Sequence, residues 1–139
     1  MIQRAPFLST IALAFACHVA IAADFHVSPE GKDAWTGKLE QPNPARTDGP
    51  LASLVGARDA IRKIKASGTL QQPIRVLIRS GQYAIADPLV FEPRDSGTEQ
   101  CPITYLGDPG KRPTISGGRE ITGWKKQGGR WVAHVPDVE

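Results

Sequence analysis

The stretch from Ile74 to Phe91, IRVLIRSGQYAIADPLVF, restricts the possible folds more than any other part of the chain. Ile74, Val76 and Ile78 alternate with Arg75, Leu77 and Arg79, the period-two pattern of a strand with one buried face. Ser80-Gly81 predicts a bend, and Tyr83 and Ile85 resume the alternation. Asp87-Pro88 predicts a second corner, followed by a third short strand at Leu89 and Phe91. Three short strands with no room for a crossover helix suggest a chain coiling into stacked turns rather than a doubly wound sheet. The expected class is mainly β, the first coil of a parallel solenoid, with everything before it closing the solenoid's end.

Upstream, LASLVGARDAIRKIKASG predicts a helix. Leu54, Ala57, Ile61 and Ile64 form one apolar stripe at helical spacing, Ser53 is the expected N-cap and Gly68 the expected stop. Gly56 in the first turn costs up to ~1 kcal/mol against alanine. Asp59 and Lys63 form an i, i+4 pair in the favourable order. Such a helix depends on docking its stripe, and the open end of a solenoid is the expected dock. The basic residues Arg58, Arg62, Lys63 and Lys65 read as a solvated face.

Before the helix, Phe25 and Val27 mark a short strand. A long Gly-, Pro-, Asn- and Asp-rich loop then runs to Pro50, with Trp35 as its apolar pin. After the first coil come a polar corner, EPRDSGTEQCP, and strands at Ile103–Leu106 and Thr114–Ser116. Asp108-Pro109-Gly110 reads as a turn, and another strand is expected to begin at Ile121. GWKKQGGRWVAHVP reads as a β-hairpin turning at Gly128-Gly129, with Trp124 and Trp131 on its two arms. The 14 glycines and 12 prolines suit a chain of many corners.

Residues 1–23 read as a cleavable export signal: Arg4, an apolar run from Phe7 to Ala16, and small residues giving cleavage near Ala22 or Ala23. The apolar run is too short to prefer a membrane span, and Ala14-Phe15-Ala16 before Cys17 is a poor lipoprotein signal. The expected location is therefore secreted or periplasmic. Loss of Arg4 takes the 17 basic side chains to 16 against 14 acidic ones, a formal +2, too little and too evenly spread for nucleic-acid binding. Once Cys17 has left, Cys101 has no partner for an internal disulfide, and beside Pro102 and Ile103 it reads as a small buried residue.

Together FHVSPEGKDAWTG, GPLASLVGARDAIRKIK and VLIRSGQYAIADPLVFEPRDSGTEQCPITYLGDPGKRPTISGGREITGW resemble the start of secreted right-handed parallel β-helix proteins. The nearest group is the glycoside hydrolase family 141-like proteins, within the pectate-lyase-like superfamily. The resemblance covers about residues 24–135. It implies an N-terminal cap with the first β-helix coils over 24–122, and over 123–139 the start of a β-rich insertion. It also implies catalytic carboxylates on later coils, so no catalytic, cofactor-binding or metal-binding residue is assigned in this chain, and no cofactor. A solenoid needs roughly three or more coils to bury its inner face, and the sequence supplies little more than one. The chain is therefore expected to be the N-terminal part of a longer carbohydrate-active protein. A glycoside hydrolase acting on polysaccharide is the leading reading, and this part alone is expected to be inactive. A non-catalytic polysaccharide-binding or structural β-helix, or a polysaccharide lyase, are the alternatives.

The residues that could carry chemistry each have a plainer role. Glycoside hydrolysis usually needs two carboxyl groups ~5–10 Å apart. Glu92, Asp95 and Glu99 cluster in sequence, yet Asp95 and Ser96 are expected to cap local N–H groups, with Gly97 supplying the bend. Asp33 and Asp48 could belong to a calcium loop but lack ligand spacing, and read as turn formers. His26 and His134 have no nearby ligand companions and read as structural. Trp35, Trp124 and Trp131 could stack on sugars, though packing on the body is the expected use. Gly117-Gly118 opens no helix, so no phosphate loop is present.

Overall fold

The period-two segments become strands and the 3.6-period segment becomes a helix. The structure, a computed structural model, describes residues 22–135 apart from Lys111 and Arg119. The leader expected over residues 1–23 lies outside the described residues up to position 21. In chain order the elements are β1 (Ala23–Val27), α1 (Leu54–Ala66), β2 (Ile74–Ile78), β3 (Gln82–Ala84) and a short 3-10 turn, Pro93–Asp95. After these come β4 (Ile103–Gly107), β5 (Thr114–Ser116), β6 (Lys125–Gln127) and β7 (Arg130–Val132).

Every pairing among the first five strands is parallel. β1, β2 and β4 form one sheet in that order, and β3 pairs with β5 in a second. The register stacks Ala23 on Ile74 on Ile103, and Phe25 on Val76 on Tyr105. Phe25, Val27, Ile74, Val76 and Ile78 are buried, joined by Tyr83 from β3 and by Leu51, Leu54, Ala57 and Ile61. The Tyr83 hydroxyl donates to the Arg79 carbonyl at 2.8 Å and lies 3.1 Å from that of Val27, which ties the corner after β2 to the end of β1.

The two edges of the larger sheet differ. At β1 the edge is covered: His26 N–H donates to the Gly37 carbonyl, Leu51 N–H to that of His26, and Ser28 N–H to that of Leu51. A covered edge cannot template pairing with another strand. β4 has no further strand beside it among the described residues. Exposure rises towards that side, where Ile103 and Tyr105 are half-buried and Ile115 is 48 % exposed.

α1 starts where its cap predicts. The Ser53 side chain accepts from Gly56 N–H at 2.9 Å. Asp33, from the long loop, accepts from the N–H groups of Ala52 and Ser53 and from the Ser53 hydroxyl. Gly56 has a reason to be glycine here, because a Cβ on it would lie 2.1 Å from Asp33 Oδ1. Leu54, Ala57 and Ile61 are buried as expected, but Ile64 sits at the rim, 37 % exposed.

Other expectations need correcting. The sequence places β1 in the closure, whereas it stacks in parallel register on β2. Leu89–Phe91 is irregular chain rather than a strand, and Phe91 makes an edge contact with Tyr105 at 5.4 Å between ring centres. Ile121 begins no strand: Gly123 turns the chain at φ 74°, and the Trp124 indole N–H donates to the Ile121 carbonyl at 2.8 Å. The hairpin forms as β6 and β7, with Gly128 at φ 52° and Gly129 at φ 80°, the positive values that a two-residue turn requires. Its tryptophans do not pack on the body, Trp124 being 52 % and Trp131 67 % exposed.

Candidate functional site

The acidic residues fall into those already engaged and those left facing solvent. Asp24 holds Arg75 across the sheet through two bonds of 2.8 and 2.7 Å, and this guanidinium holds its carboxyl below the usual range. Asp48 accepts from the N–H and hydroxyl of Thr36 and from Gly49 N–H, which lowers its pKa too. Asp33 braces the start of α1, so both aspartates form turns in the long loop. Trp35 is half-buried there with the Lys32 ammonium 5.1 Å from its ring centre. Cys101 is buried, its Sγ 3.4 Å from the Leu70 carbonyl.

The Glu92–Glu99 corner is a clamp to the helix. Arg62 meets Asp95 in a fork, Nε to Oδ1 at 2.6 Å and Nη2 to Oδ2 at 2.7 Å, and reaches Glu92 at 3.0 Å. Arg58 donates to the Val90 carbonyl, and the Lys65 ammonium donates to the carbonyls of Arg94 and Ser96. The face expected to be solvated is thus mostly engaged, and Asp59 pairs with Arg58 and Arg62 instead of Lys63. Asp95 also accepts from Glu92 N–H as a local cap, whereas Ser96 contributes only its backbone groups among the described residues. The Arg62 fork, with that N–H, drives the Asp95 pKa far below the ordinary carboxylate range. Tyr105, close by, is pushed up to about 12, by burial first and by the Asp95 charge second.

A folded-state pKa below the unfolded one means that the unfolded chain binds more protons in acid. The Asp95 contribution is complete above about pH 5 and drains as pH falls through the ordinary aspartate value towards the folded one. The urea midpoint should therefore drop between pH 7 and pH 3, and drop less in Asp95→Asn. Equal drops in the two proteins would remove Asp95 from the account of acid sensitivity.

The outer face of the larger sheet presents another arrangement with chemical content. Outward along the stack, His26, Leu77 and Leu106 share a register row. Arg79 and Asp108 follow the ends of β2 and β4, their N–H groups donating to the Val27 and Ile78 carbonyls and so continuing the ladder. The long loop brings Glu40 to the same place. These residues, with Pro109, line a shallow groove of about 230 Å³. Among the described residues no side-chain hydrogen bond or ion pair engages His26, Glu40, Arg79 or Asp108. His26 is therefore a groove residue, whereas sequence reading made it structural; His134 is exposed. Glu40 and Asp108 carry no signal in sequence, since only the fold brings them together. Glu92, Asp95 and Glu99 do not line this groove.

No group of three or more His, Cys, Asp or Glu among the described residues could hold a metal ion. No helix among them is long and apolar enough to cross a membrane. No protein-family model and no curated protein matches the chain. A solved structure described as a glycoside hydrolase does, with a TM-score of 0.69 and 32 % identity, over 83 % of this chain and 18 % of that one. This chain thus spans less than a fifth of the length of the glycoside hydrolase structure it is similar to.

Proposed function

We propose that this chain is the N-terminal cap and first coils of a right-handed parallel β-solenoid in an exported carbohydrate-active protein, a glycoside hydrolase acting on polysaccharide. The observation that carries the reading is the likeness to a glycoside hydrolase at 32 % identity across 83 % of the chain. Two features of the fold support the solenoid part. The first five strands pair only in parallel, and the covered β1 edge opposes an uncovered β4 edge, the polarity a capped stack of coils requires. In this reading hydrolysis belongs to carboxylates on further coils. The acidic pairs of this chain are held by arginines, backbone N–H groups or threonine, apart from those left facing solvent. The N-terminal segment, cleaved near Ala22 or Ala23, serves as the export signal. β1 begins at Ala23, so cleavage after Ala22 leaves the strand whole.

One experiment tests both parts. The native full-length protein bearing this sequence is expressed, its mature N-terminus is read, and it is assayed on a polysaccharide panel beside the 139-residue chain alone. The expected result is an N-terminus near Ala23, new reducing ends from the full-length protein, and none from the chain alone. Turnover by the chain alone would overturn the assignment of catalysis to further coils. Unsaturated products would make the protein a lyase, and binding without cleavage would make it a non-catalytic binder.

A further inference from the structure

We infer that the groove on the outer face of the β1–β2–β4 sheet is a subsite for one ring of a neutral sugar, built by the capping segment itself. The inference rests on the carbohydrate-active reading above and adds a binding role to a part of the chain that this reading leaves without one.

The lining is divided in the way a sugar ring is divided. Leu77, Leu106 and Pro109 offer apolar surface for a C–H face, and Glu40, Asp108, Arg79 and His26 line the same groove with side chains that make no hydrogen bond or ion pair among the described residues. Carboxylates accept two hydroxyl protons, and a guanidinium donates in a fixed fork to adjacent oxygens, which together match vicinal hydroxyls. At about 230 Å³ the groove lies below the ~300–1,000 Å³ of sites for drug-sized ligands, a scale suited to a single ring.

Other ligand classes fit less well. Two carboxylates against one guanidinium disfavour phosphate or a uronic acid, which add negative charge. A metal ion is disfavoured by the spacing of the three potential ligands and by the neighbouring Arg79. An extended peptide would need a free sheet edge; the edge beside His26 is occupied by Gly37 and Leu51, and in the solenoid reading the edge beside Leu106 is taken by the next coil. With no aromatic ring in the floor, affinity should be modest, a dissociation constant on the order of millimolar.

The test is an NMR titration of the ¹⁵N-labelled chain with xylotriose, cellotriose and mannotriose, and with trigalacturonate as the charged comparison. At least one neutral sugar should shift the resonances of His26, Leu77 and Leu106 with millimolar affinity, and trigalacturonate should bind more weakly. Arg79→Ala and Asp108→Asn should each weaken binding about tenfold while the signals of Phe25 and Ile61 keep their folded positions. If the chain alone gives no dispersed spectrum, the same variants in the full-length protein should raise KM for a neutral oligosaccharide and leave kcat unchanged. The inference is overturned by a folded chain whose groove resonances do not respond. It is also overturned by shifts confined to the Trp124–Trp131 hairpin, or by tighter binding of trigalacturonate. A hydrolytically active full-length protein with a silent groove would defeat the subsite alone. A responding groove in a protein without glycan cleavage would defeat the hydrolase reading and leave the subsite standing.

Discussion

Phe25→Ala is expected to destabilise the folded chain by about 3–5 kcal/mol, the range for emptying a buried aromatic site. Phe25 is 2 % exposed at the centre of β1, and its register partners are Val76 and, one strand further, Tyr105. The Lys38 ammonium lies 3.4 Å from the ring centre and donates to the Asp24 carbonyl, with desolvation lowering its pKa. Removing the ring takes away the apolar filling of the first layer and the surface on which that cation rests. Total stabilities of ~5–15 kcal/mol are typical of single domains, so a loss of this size should leave little of the cooperative transition. Urea unfolding followed by far-ultraviolet circular dichroism reads the outcome. A shift equivalent to under about 1 kcal/mol would mean that β1 does not seat its side chains in the core.

The parts of the fold legible in sequence are those set by local rules. β2 occupies Ile74–Ile78 and β5 Thr114–Ser116, as alternation and flanking Gly and Pro predict, and the helix is capped by Ser53. What could not be read is pairing across distance. Ala23 opposes Ile74, yet β1 alone has too few residues to reveal whether it joins a stack or closes one. Leu89–Phe91 fails as a strand for a related reason. Pro88 and Pro93 flank it, and the Val90 carbonyl is taken by Arg58 from the helix instead of by a ladder partner. The basic residues of α1 look solvated in a helical projection because their partners, Val90 to Ser96, lie about thirty residues downstream.

The groove shows the same limit more sharply. His26, Glu40, Arg79 and Asp108 come from a strand, a loop and two corners, and nothing in their local sequence shows that they meet. The close trio Glu92, Asp95 and Glu99 draws the eye in sequence, yet Asp95 and Glu92 hold arginine side chains. Proximity along the chain is a poor guide here because parallel pairing aligns residues from strands far apart in sequence.

Ile61→Ala is expected to cost about 2–5 kcal/mol, and Ile64→Ala far less, within about 1 kcal/mol. Sequence periodicity assigns both residues to one apolar stripe, but Ile61 is 3 % exposed and Ile64 is 37 % exposed. A helix of 13 residues is marginal in water by itself, so α1 persists because its buried face docks against β1 and the Pro93–Asp95 turn. Ile61 sits one position before Arg62, the residue that forks onto Asp95, so the same turn of helix carries both the apolar and the ionic attachment. If docking is what holds the helix, Ile61→Ala should loosen the Arg62–Asp95 clamp and reduce helical ellipticity before the sheet unfolds. It should also flatten the acid dependence of stability, as Asp95→Asn does. Were Ile61→Ala and Ile64→Ala equally mild, with the acid dependence intact, the clamp would be holding the helix without help from its apolar face.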